Sequence, residues 1–353
     1  MRVQTRTSLS TLTTLRLGGP AARLVEVTAA EDVVDAVTAA DRAGEPVLVL
    51  GGGSNVVVSD GGFDGTVVLV RTTGVASVAE DDLVALTVQA GEPWDAVVGA
   101  VVAEGWAGIE TLSGIPGLSG ATPIQNVGAY GQEVSSTVSC VRVLDRRTGQ
   151  VATMPAHACA FTYRSSAFKG IDRFVVLDVT YVLEVSGLSR PIRYPELAGA
   201  LGVDVGDRVP LADVREAVLH LRRAKGMVID EADPDSVSAG SFFTNPILDP
   251  AEVAALERRV AARLGDGVRP PLFPESGGRM KTSAAWLIDR AGFPRGYGHG
   301  AARISSKHTL ALTNRGGATA ADLLVLAREV RDGVREAFGV ELVNEPVLVG
   351  VHL

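Results

Sequence analysis

VLVLGGGSNVVVSDGGFDG, residues 47–65, places an apolar run directly before three consecutive glycines. A strand that ends in a glycine-rich turn is a common beginning of a dinucleotide-binding loop. A Rossmann site also needs G-x-G-x-x-G spacing and a helix whose N-terminus faces the pyrophosphate. Here Val56 occupies the third glycine position, and VVVS and DGGFDG follow, which are typical of a strand and a turn. The stretch therefore argues against a Rossmann nicotinamide site.

The same loop favours a phosphate ligand of another kind. Its glycines are followed by Ser54 and Asn55, and consecutive backbone amides in such a turn form a nest that binds anions. A simple turn is the alternative interpretation. Under the Rossmann interpretation, Arg71, about twenty residues further on, would be the partner of a 2′-phosphate.

A second glycine cluster lies in residues 108–134, GIETLSGIPGLSGATPIQNVGAYGQEV. Glycines at this density cost backbone entropy, so they indicate a close approach of the chain to a flat or charged group. Thr122, Gln125 and Asn126 add hydrogen-bonding groups. A surface loop without function is the alternative, but long loops of that kind are uncommon.

Composition limits the class of protein. A chain of 353 residues predicts two or three domains, and 46% hydrophobic with 21% charged residues is typical of a globular protein. The formal charge of -8 argues against nucleic acid as the main partner. We find no signal peptide or membrane-spanning run, and Cys140 and Cys159 suggest neither a disulfide framework nor a metal site. We therefore expect a cytoplasmic protein that binds no membrane.

Periodicity and capping residues predict the main elements. Strands are expected at residues 22–27, 47–50, 83–89, 174–185 and 340–353. The first helix is expected to begin with a Thr28–Glu31 capping box and to stop at Gly44. Further helices are predicted between Pro93 and Gly105, around Val214, Val218 and Leu221, and from Asp249, Ser283 and Thr319.

The two glycine stretches resemble the FAD-binding domain of the vanillyl-alcohol-oxidase type. Three later stretches narrow the match: YRSSAFK at 163–169, SAGSFFTNP at 238–246 and AAWLIDRAGF at 284–293. Together they are similar to UDP-N-acetylenolpyruvoylglucosamine reductases, from about residue 14 to residue 350.

The resemblance implies an α+β fold in which two small subdomains hold FAD and a C-terminal α+β domain binds the substrate. The implied boundaries are FAD-binding subdomain 1 at 1–73, subdomain 2 at 74–190, a tyrosine loop and linker helix at 191–226, and the substrate-binding domain at 227–353.

The resemblance also implies a reaction in two halves. NADPH reduces FAD and leaves, and UDP-N-acetylglucosamine enolpyruvate then receives the hydride to become UDP-N-acetylmuramate, a peptidoglycan precursor. The carbon beside the carboxylate gains negative charge, which must be stabilised and then quenched by a proton. Because residues 47–65 contain no histidine, we expect FAD to be bound noncovalently. We also expect the protein to be a monomer.

The resemblance implies that three residues of this chain are catalytic. Arg164 resembles the group that neutralises the developing charge, for which a forked, permanently charged guanidinium is suited. Ser241 resembles the proton donor, and Glu345 occupies the position of the family's catalytic glutamate, although Asn344 and Pro346 depart from the usual pattern. The alternatives are a surface arginine, a turn serine and an outward-facing glutamate in the last strand.

The resemblance assigns the binding contacts as well. Tyr194 would fold over the nucleotide, Lys225 and Asn245 would meet the diphosphate, and Tyr163 would lie beside the substrate. The segment after Lys225, KGMVIDEADPDS, is longer than the family pattern. The implied cofactor contacts are Gly51, Gly52, Gly53, Ser54, Asn55, Gly114, Ile115, Pro116, Gly117, Gly120, Ala121, Gln125, Asn126, Gly128, Ala129, Tyr130 and Gly131.

Two other functions stay open at this point. One is an FAD oxidase of the same fold that acts on an alcohol or lactone, against which the AGSFFTNP and YRSSAFK stretches argue. The other is a non-catalytic nucleotide-binding protein, in which NADPH would never bleach the bound flavin.

Overall fold

The computed structural model describes all residues from Met1 to Leu353. The chain forms two compact units. Unit 1 comprises Met1–Ser8, Pro20–Gly53 and Gly62–Val228, and unit 2 comprises Leu9–Gly19, Ser54–Gly61 and Ile229–Leu353. Two short segments from the N-terminal part of the chain thus pack with the C-terminal part. The finer division into four regions stays a prediction.

Seven α-helices follow one another along the chain: α1 (Ala30–Arg42), α2 (Trp94–Ala103), α3 (Pro195–Leu201), α4 (Leu211–Ala224), α5 (Pro250–Leu264), α6 (Ala284–Ala291) and α7 (Ala320–Phe338). The strands are β1 (Arg2–Ser8), β2 (Pro20–Val27), β3 (Val47–Leu50), β4 (Val56–Val58), β5 (Phe63–Val70), β6 (Val75–Glu80), β7 (Leu83–Gln89), β8 (Trp106–Ala107), β9 (Gly128–Ala129), β10 (Gln132–Glu133), β11 (Val138–Asp145), β12 (Gln150–Pro155), β13 (Phe174–Val185), β14 (Ser238–Ser241), β15 (Ile247–Leu248), β16 (Leu272–Pro274), β17 (Met280–Thr282), β18 (Ala302–Ile304), β19 (Ala311–Asn314) and β20 (Val347–Val349).

The first sheet of unit 1 has the strand order β1-β2-β5-β3. Helix α1 buries Val33 and Val37 against it, and Gly44, with φ of 69°, ends the helix as predicted. The prediction of a Thr28–Glu31 capping box was wrong. The helix begins one residue later than expected, so Ala29 is the N-cap and makes no side-chain cap bond.

The second sheet of unit 1 has the order β12-β11-β13-β7-β6, with β8 also paired to β13. The predicted strands at 83–89 and 174–185 are confirmed as β7 and β13. Helix α2 begins after Pro93 and buries Trp94, Val97, Val98 and Val101. Branched apolar residues on both elements exclude water between sheet and helix, and that burial stabilises the layer.

The last part of unit 1 is a pair of helices. Helix α4 buries Val214 and Val218 in a cluster with Leu197 of α3. Helix α3 lies where the sequence predicted only a loop. Pro195 at its first position favours this helix because the ring fixes φ and no N–H is lost there.

Unit 2 contains sheets with the orders β14-β19-β18 and β15-β17-β16, and a β20-β4 pair. Its helices begin where the sequence predicted. The side chains of Asp249, Ser283 and Thr319 each accept the backbone N–H three residues further on. None of the seven helices of the whole chain is both long and apolar enough to cross a membrane.

The prediction of a long final strand at 340–353 was wrong. Only Val347–Val349 form a strand, which pairs in parallel with Val56–Val58. Pro346 has no N–H to donate to a ladder, so regular pairing cannot run through it. Glu345 therefore lies in an irregular segment just before β20.

Candidate active site

The two glycine loops of unit 1 pack backbone against backbone. A Cβ atom added to Gly52 would lie 2.8 Å from the Cα of Gly117, so no larger residue fits there. Arg71 holds the first loop by donating from Nη1 to the carbonyl oxygen of Gly51 at 3.1 Å. This contact gives Arg71 a role in supporting the first loop.

An acid on helix α2 holds the second glycine loop. The backbone N–H of Gly114 donates to Oδ1 of Asp95 at 2.6 Å, and Arg215 of α4 forks onto the same carboxylate at 2.6 and 3.0 Å. Burial acts to raise the pKa of Asp95, but the hydrogen bonds from Arg215 and Gly114 outweigh it and lower the pKa. Helices α2 and α4 are therefore joined at this loop.

Arg222 of α4 is a cation that the sequence motifs did not single out. Its Nη2 donates to the carbonyl oxygen of Met227 at 2.7 Å, whereas Nε is shielded from solvent and has no hydrogen-bond partner. Burial lowers the pKa of Arg222 to about 10. Nε lies 3.5 Å from the position of a Cβ on Gly114. A buried N–H of this kind is costly without an acceptor, so the geometry favours an anionic or carbonyl-bearing ligand beside this loop.

The hairpin formed by β9 and β10 holds the guanidinium of Arg164. Nη2 donates to the carbonyl oxygen of Gly128 at 2.7 Å, and Nη1 donates to that of Asn126 at 3.4 Å. The backbone of Arg164 has a φ of 52°, which is costly for a residue with a side chain. Nζ of Lys169 donates to the carbonyl oxygen of Arg164 at 2.9 Å. The guanidinium carbon of Arg164 lies 5.3 Å from the Tyr163 ring centroid. Arg164 is thus grouped with two predicted cofactor residues.

Tyrosines and a lysine form a second group in unit 1. Tyr194, immediately before α3, packs edge-on against Tyr130, with ring centroids 5.5 Å apart. Nζ of Lys225 lies 5.5 Å from the Tyr130 ring centroid and 2.7 Å from Oε2 of Glu196. Burial raises the pKa of Tyr130 to about 12 and also raises that of Tyr194. The predicted substrate residues Tyr194 and Lys225 therefore share one cluster with Tyr130, which was predicted to contact the cofactor.

Unit 2 brings Ser241 and Glu345 onto neighbouring segments. Ser241 is the last residue of β14, and the N–H of Glu345 donates to the carbonyl oxygen of Phe242 at 2.8 Å. Nδ2 of Asn55, one of the predicted cofactor residues, donates to the carbonyl oxygen of Glu345 at 3.4 Å. Asn245 lies in the segment between β14 and β15, and its Oδ1 accepts the N–H of Ala284, the first residue of α6, at 2.9 Å.

A buried acid braces the strand that carries Ser241. Asp235 is 3% exposed, and it accepts the N–H of Ser306 at 2.8 Å and its hydroxyl at 2.6 Å. Arg315, directly after β19, pairs with the same carboxylate. Burial acts to raise the pKa of Asp235, but the hydrogen bonds from Ser306 and Ser305 outweigh it, and the pKa is lowered. Asp235 lies in the long segment after Lys225, so part of that length anchors β14.

These residues fit a bound flavin dinucleotide. The packing of the two loops against each other requires glycine at position 52, and beside these loops Arg222 leaves a shielded N–H without an acceptor. A buried donor next to glycine-rich backbone suits a large anionic ligand. The described residues contain no cluster of three or more histidine, cysteine, aspartate or glutamate side chains that could hold a metal ion.

Comparisons with known proteins match two parts of the chain to family models and the whole chain to named relatives. Residues 21–154 match the family model of an FAD binding domain, and residues 233–349 match that of the UDP-N-acetylenolpyruvoylglucosamine reductase C-terminal domain. The reductase of that name from Thermobifida fusca is 60% identical over 346 residues, which cover 98% of this chain and 97% of the relative. The one from Streptomyces coelicolor is 59% identical over 347 residues, covering 98% and 90%.

A solved structure extends the match to the fold. The crystal structure of UDP-N-acetylenolpyruvylglucosamine reductase from Thermus caldophilus aligns with a TM-score of 0.65 at 26% identity, and the alignment covers 99% of each chain. The predicted α+β class, the FAD-binding domain and the resemblance drawn from the motifs are confirmed. The chain belongs to the UDP-N-acetylenolpyruvoylglucosamine reductase family.

Proposed function

We propose that Arg164, Ser241 and Glu345 carry the reaction of this family in this chain. The protein is an FAD-dependent oxidoreductase that uses NADPH to reduce UDP-N-acetylglucosamine enolpyruvate to UDP-N-acetylmuramate, a step in peptidoglycan precursor synthesis. The observation that carries the function is the 60% identity to a named reductase over 98% of the chain. The assignment of individual residues is our own.

The cofactor is held by the two glycine loops and the hairpin of unit 1 in this proposal. Bound FAD supplies the group that accepts and gives up a hydride. Backbone amides around Gly52 and Gly117 would bind the diphosphate of FAD, and Arg222 would offer its shielded N–H to an acceptor of the cofactor. No histidine occurs in residues 47–65, which supports noncovalent binding.

Arg164 stabilises the charge that develops on the substrate. Hydride addition to the methylene carbon of the enolpyruvyl group leaves electron density on the neighbouring carbon and its carboxylate. A guanidinium remains charged at any working pH and can fork onto a carboxylate. The carbonyl oxygens of Gly128 and Asn126 fix its plane, so it does not have to be reoriented during the reaction.

Ser241 supplies the proton that completes the product. Its Oγ–H gives its proton to the carbon beside the carboxylate, which is possible for a hydroxyl because the intermediate left by hydride addition is strongly basic, and the serine then regains a proton from water. Glu345 lies on the adjacent segment of unit 2 and orients the substrate or a water molecule. The bracing of β14 by Asp235 keeps the serine in position.

The remaining contacts bind the nucleotide. Tyr194 covers the nucleobase and sugar, while Lys225 and Asn245 donate to the diphosphate and Tyr163 lies beside the substrate. The cluster of Tyr194, Tyr130 and Lys225 supports this assignment. We further propose a monomeric protein in the cytoplasm that binds no membrane. The net charge of -8 argues against nucleic acid as a partner.

Ser241→Ala tests the assignment by separating the two half-reactions in stopped flow. Reduction by NADPH should be unchanged, because the serine acts only after hydride transfer to the substrate. Reoxidation by the enolpyruvyl substrate should slow by about 100-fold or more, as expected for a positioned acid. Thr244→Ala, which removes a hydroxyl three residues away, is the matched control and should leave both rates intact. Equal loss in both half-reactions of Ser241→Ala would contradict the proton-donor role.

A further inference from the structure

Lys225, which the proposed function places on the substrate diphosphate, already holds a carboxylate. Its Nζ lies 2.7 Å from Oε2 of Glu196, and the two side chains are 33% and 40% exposed. Nζ also faces the ring of Tyr130 at 5.5 Å. The ammonium group is therefore occupied on one side by an acid and on another by an aromatic ring.

The helices make this pair part of the fold. Glu196 lies in the first turn of α3, two residues after Tyr194, and Lys225 is the C-cap residue of α4. Leu197 and Val218 belong to the apolar cluster that packs these two helices together. The two backbones are fixed by that packing, so the carboxylate and the ammonium remain neighbours unless a side chain rotates.

We propose that Glu196 is an internal competitor for the diphosphate at Lys225 and so sets the affinity for the sugar nucleotide. The inference rests on the proposed function, since it takes Lys225 as the diphosphate contact. A diphosphate brought to Nζ meets the like charge of Glu196, whose Oε2 lies 2.7 Å from that nitrogen, and the repulsion favours rotation of the exposed Glu196 side chain into solvent. When the nucleotide leaves, Glu196 pairs with Lys225 again, which favours release.

The size of the effect follows from exposure. An ion pair with both partners partly in solvent contributes little, so breaking it costs the ligand only about 2- to 5-fold in affinity. Most of that factor should appear in the dissociation rate. The carboxylate is separated from the apolar core of the helix pair, so its replacement by an amide should leave folding unchanged.

UDP alone is the probe, titrated into the FAD-loaded full chain by calorimetry. Glu196→Gln should bind UDP about 2- to 5-fold more tightly than the parent, and the difference should shrink in about 0.5 M KCl because salt screens exposed charges. Glu216→Gln, the same charge change at an exposed position of α4, is the control and should leave the affinity unchanged. Unchanged or weaker binding by Glu196→Gln would overturn the proposal, because it would mean that Glu196 only orients Lys225.

Lys225→Met distinguishes failure of the competitor role of Glu196 from failure of the assignment of Lys225 to the diphosphate. If both hold, Lys225→Met binds UDP more weakly, and adding Glu196→Gln to it gives no further gain. If Lys225→Met is weaker but Glu196→Gln in the parent gives no gain, only the competitor role is lost. If Lys225→Met binds UDP as the parent does, Lys225 is not the diphosphate contact, and both the assignment and this inference are wrong.

Discussion

Replacing Arg164 by lysine keeps the positive charge and removes the planar fork. In the parent, Nη2 and Nη1 donate to the carbonyl oxygens of Gly128 at 2.7 Å and Asn126 at 3.4 Å. These two bonds hold the guanidinium in one plane. An ammonium has its donors on one nitrogen, so it cannot keep both bonds and also grip a carboxylate with two parallel bonds.

The expected loss follows from this geometry. The left-handed backbone at φ of 52° strains arginine and lysine equally, so the backbone term cancels between parent and variant. What remains is the loss of about one hydrogen bond to a charged group, which is about 1.5–3 kcal/mol. Turnover should therefore fall by about 10- to 150-fold.

The assay is again the separation of half-reactions. Reduction by NADPH should proceed at the parent rate, whereas reoxidation by the enolpyruvyl substrate should show the whole loss. Arg173→Lys is a matched control, because Arg173 also forks onto a carboxylate, that of Asp145, away from the predicted site residues. It should leave both rates unchanged. An Arg164→Lys variant that turned over at the parent rate would refute the forked role.

Further outcomes are expected from the same account. Glu345→Gln should retain a higher kcat/KM than Glu345→Ala, because the amide keeps shape and hydrogen bonding; equal values would remove any orienting role. Asp235→Asn should lower the free energy of unfolding by about 3 kcal/mol at neutral pH in urea titrations, because it leaves Arg315 without its acid. Because the pKa of Asp235 is lowered in the folded state, this contribution is complete above the unfolded pKa of about 4 and is lost as the pH falls from there through the lower folded-state pKa. Parent and variant should therefore converge below the folded-state pKa, and a constant difference would contradict the ion pair. Trichloroacetic acid should release all the flavin into the supernatant, and a yellow protein pellet would contradict noncovalent binding.

Local chemistry made many elements of the fold predictable. Asp249, Ser283 and Thr319 were identified as helix N-caps because a short acceptor side chain before an apolar run satisfies backbone N–H groups of the first turn. The long strand Phe174–Val185 was likewise evident from its unbroken apolar and branched residues. Both signals depend only on neighbours in the sequence.

The failures have a common physical cause in contacts between distant residues. Residues 340–353 contain enough valine and leucine for a long strand, but strand β20 extends only as far as its partner β4 and the proline allow. The assignment of Leu9–Gly19 and Ser54–Gly61 to the C-terminal unit is equally invisible in a local pattern. Propensity describes a segment alone, and tertiary packing overrides it.

The candidate site divides in the same way. Motifs predict catalytic roles for Arg164, Ser241 and Glu345, because their residue types and order match a family, and these roles stay predictions. Sequence reasoning missed Asp95 and Asp235, whose roles come from partners 120 and 80 residues away. An isolated aspartate in a chain with 41 acidic residues gives no sign of such a partner.

The central claim is that one bound flavin takes a hydride from NADPH and passes it to the enolpyruvyl sugar nucleotide. The most direct measurement is the absorbance of the purified yellow protein near 450 nm in the absence of oxygen. Addition of one equivalent of NADPH should bleach the flavin, and subsequent addition of UDP-N-acetylglucosamine enolpyruvate should restore the colour with formation of UDP-N-acetylmuramate. A flavin that NADPH never bleaches, or that recovers its colour with oxygen but not with the sugar nucleotide, would contradict the account.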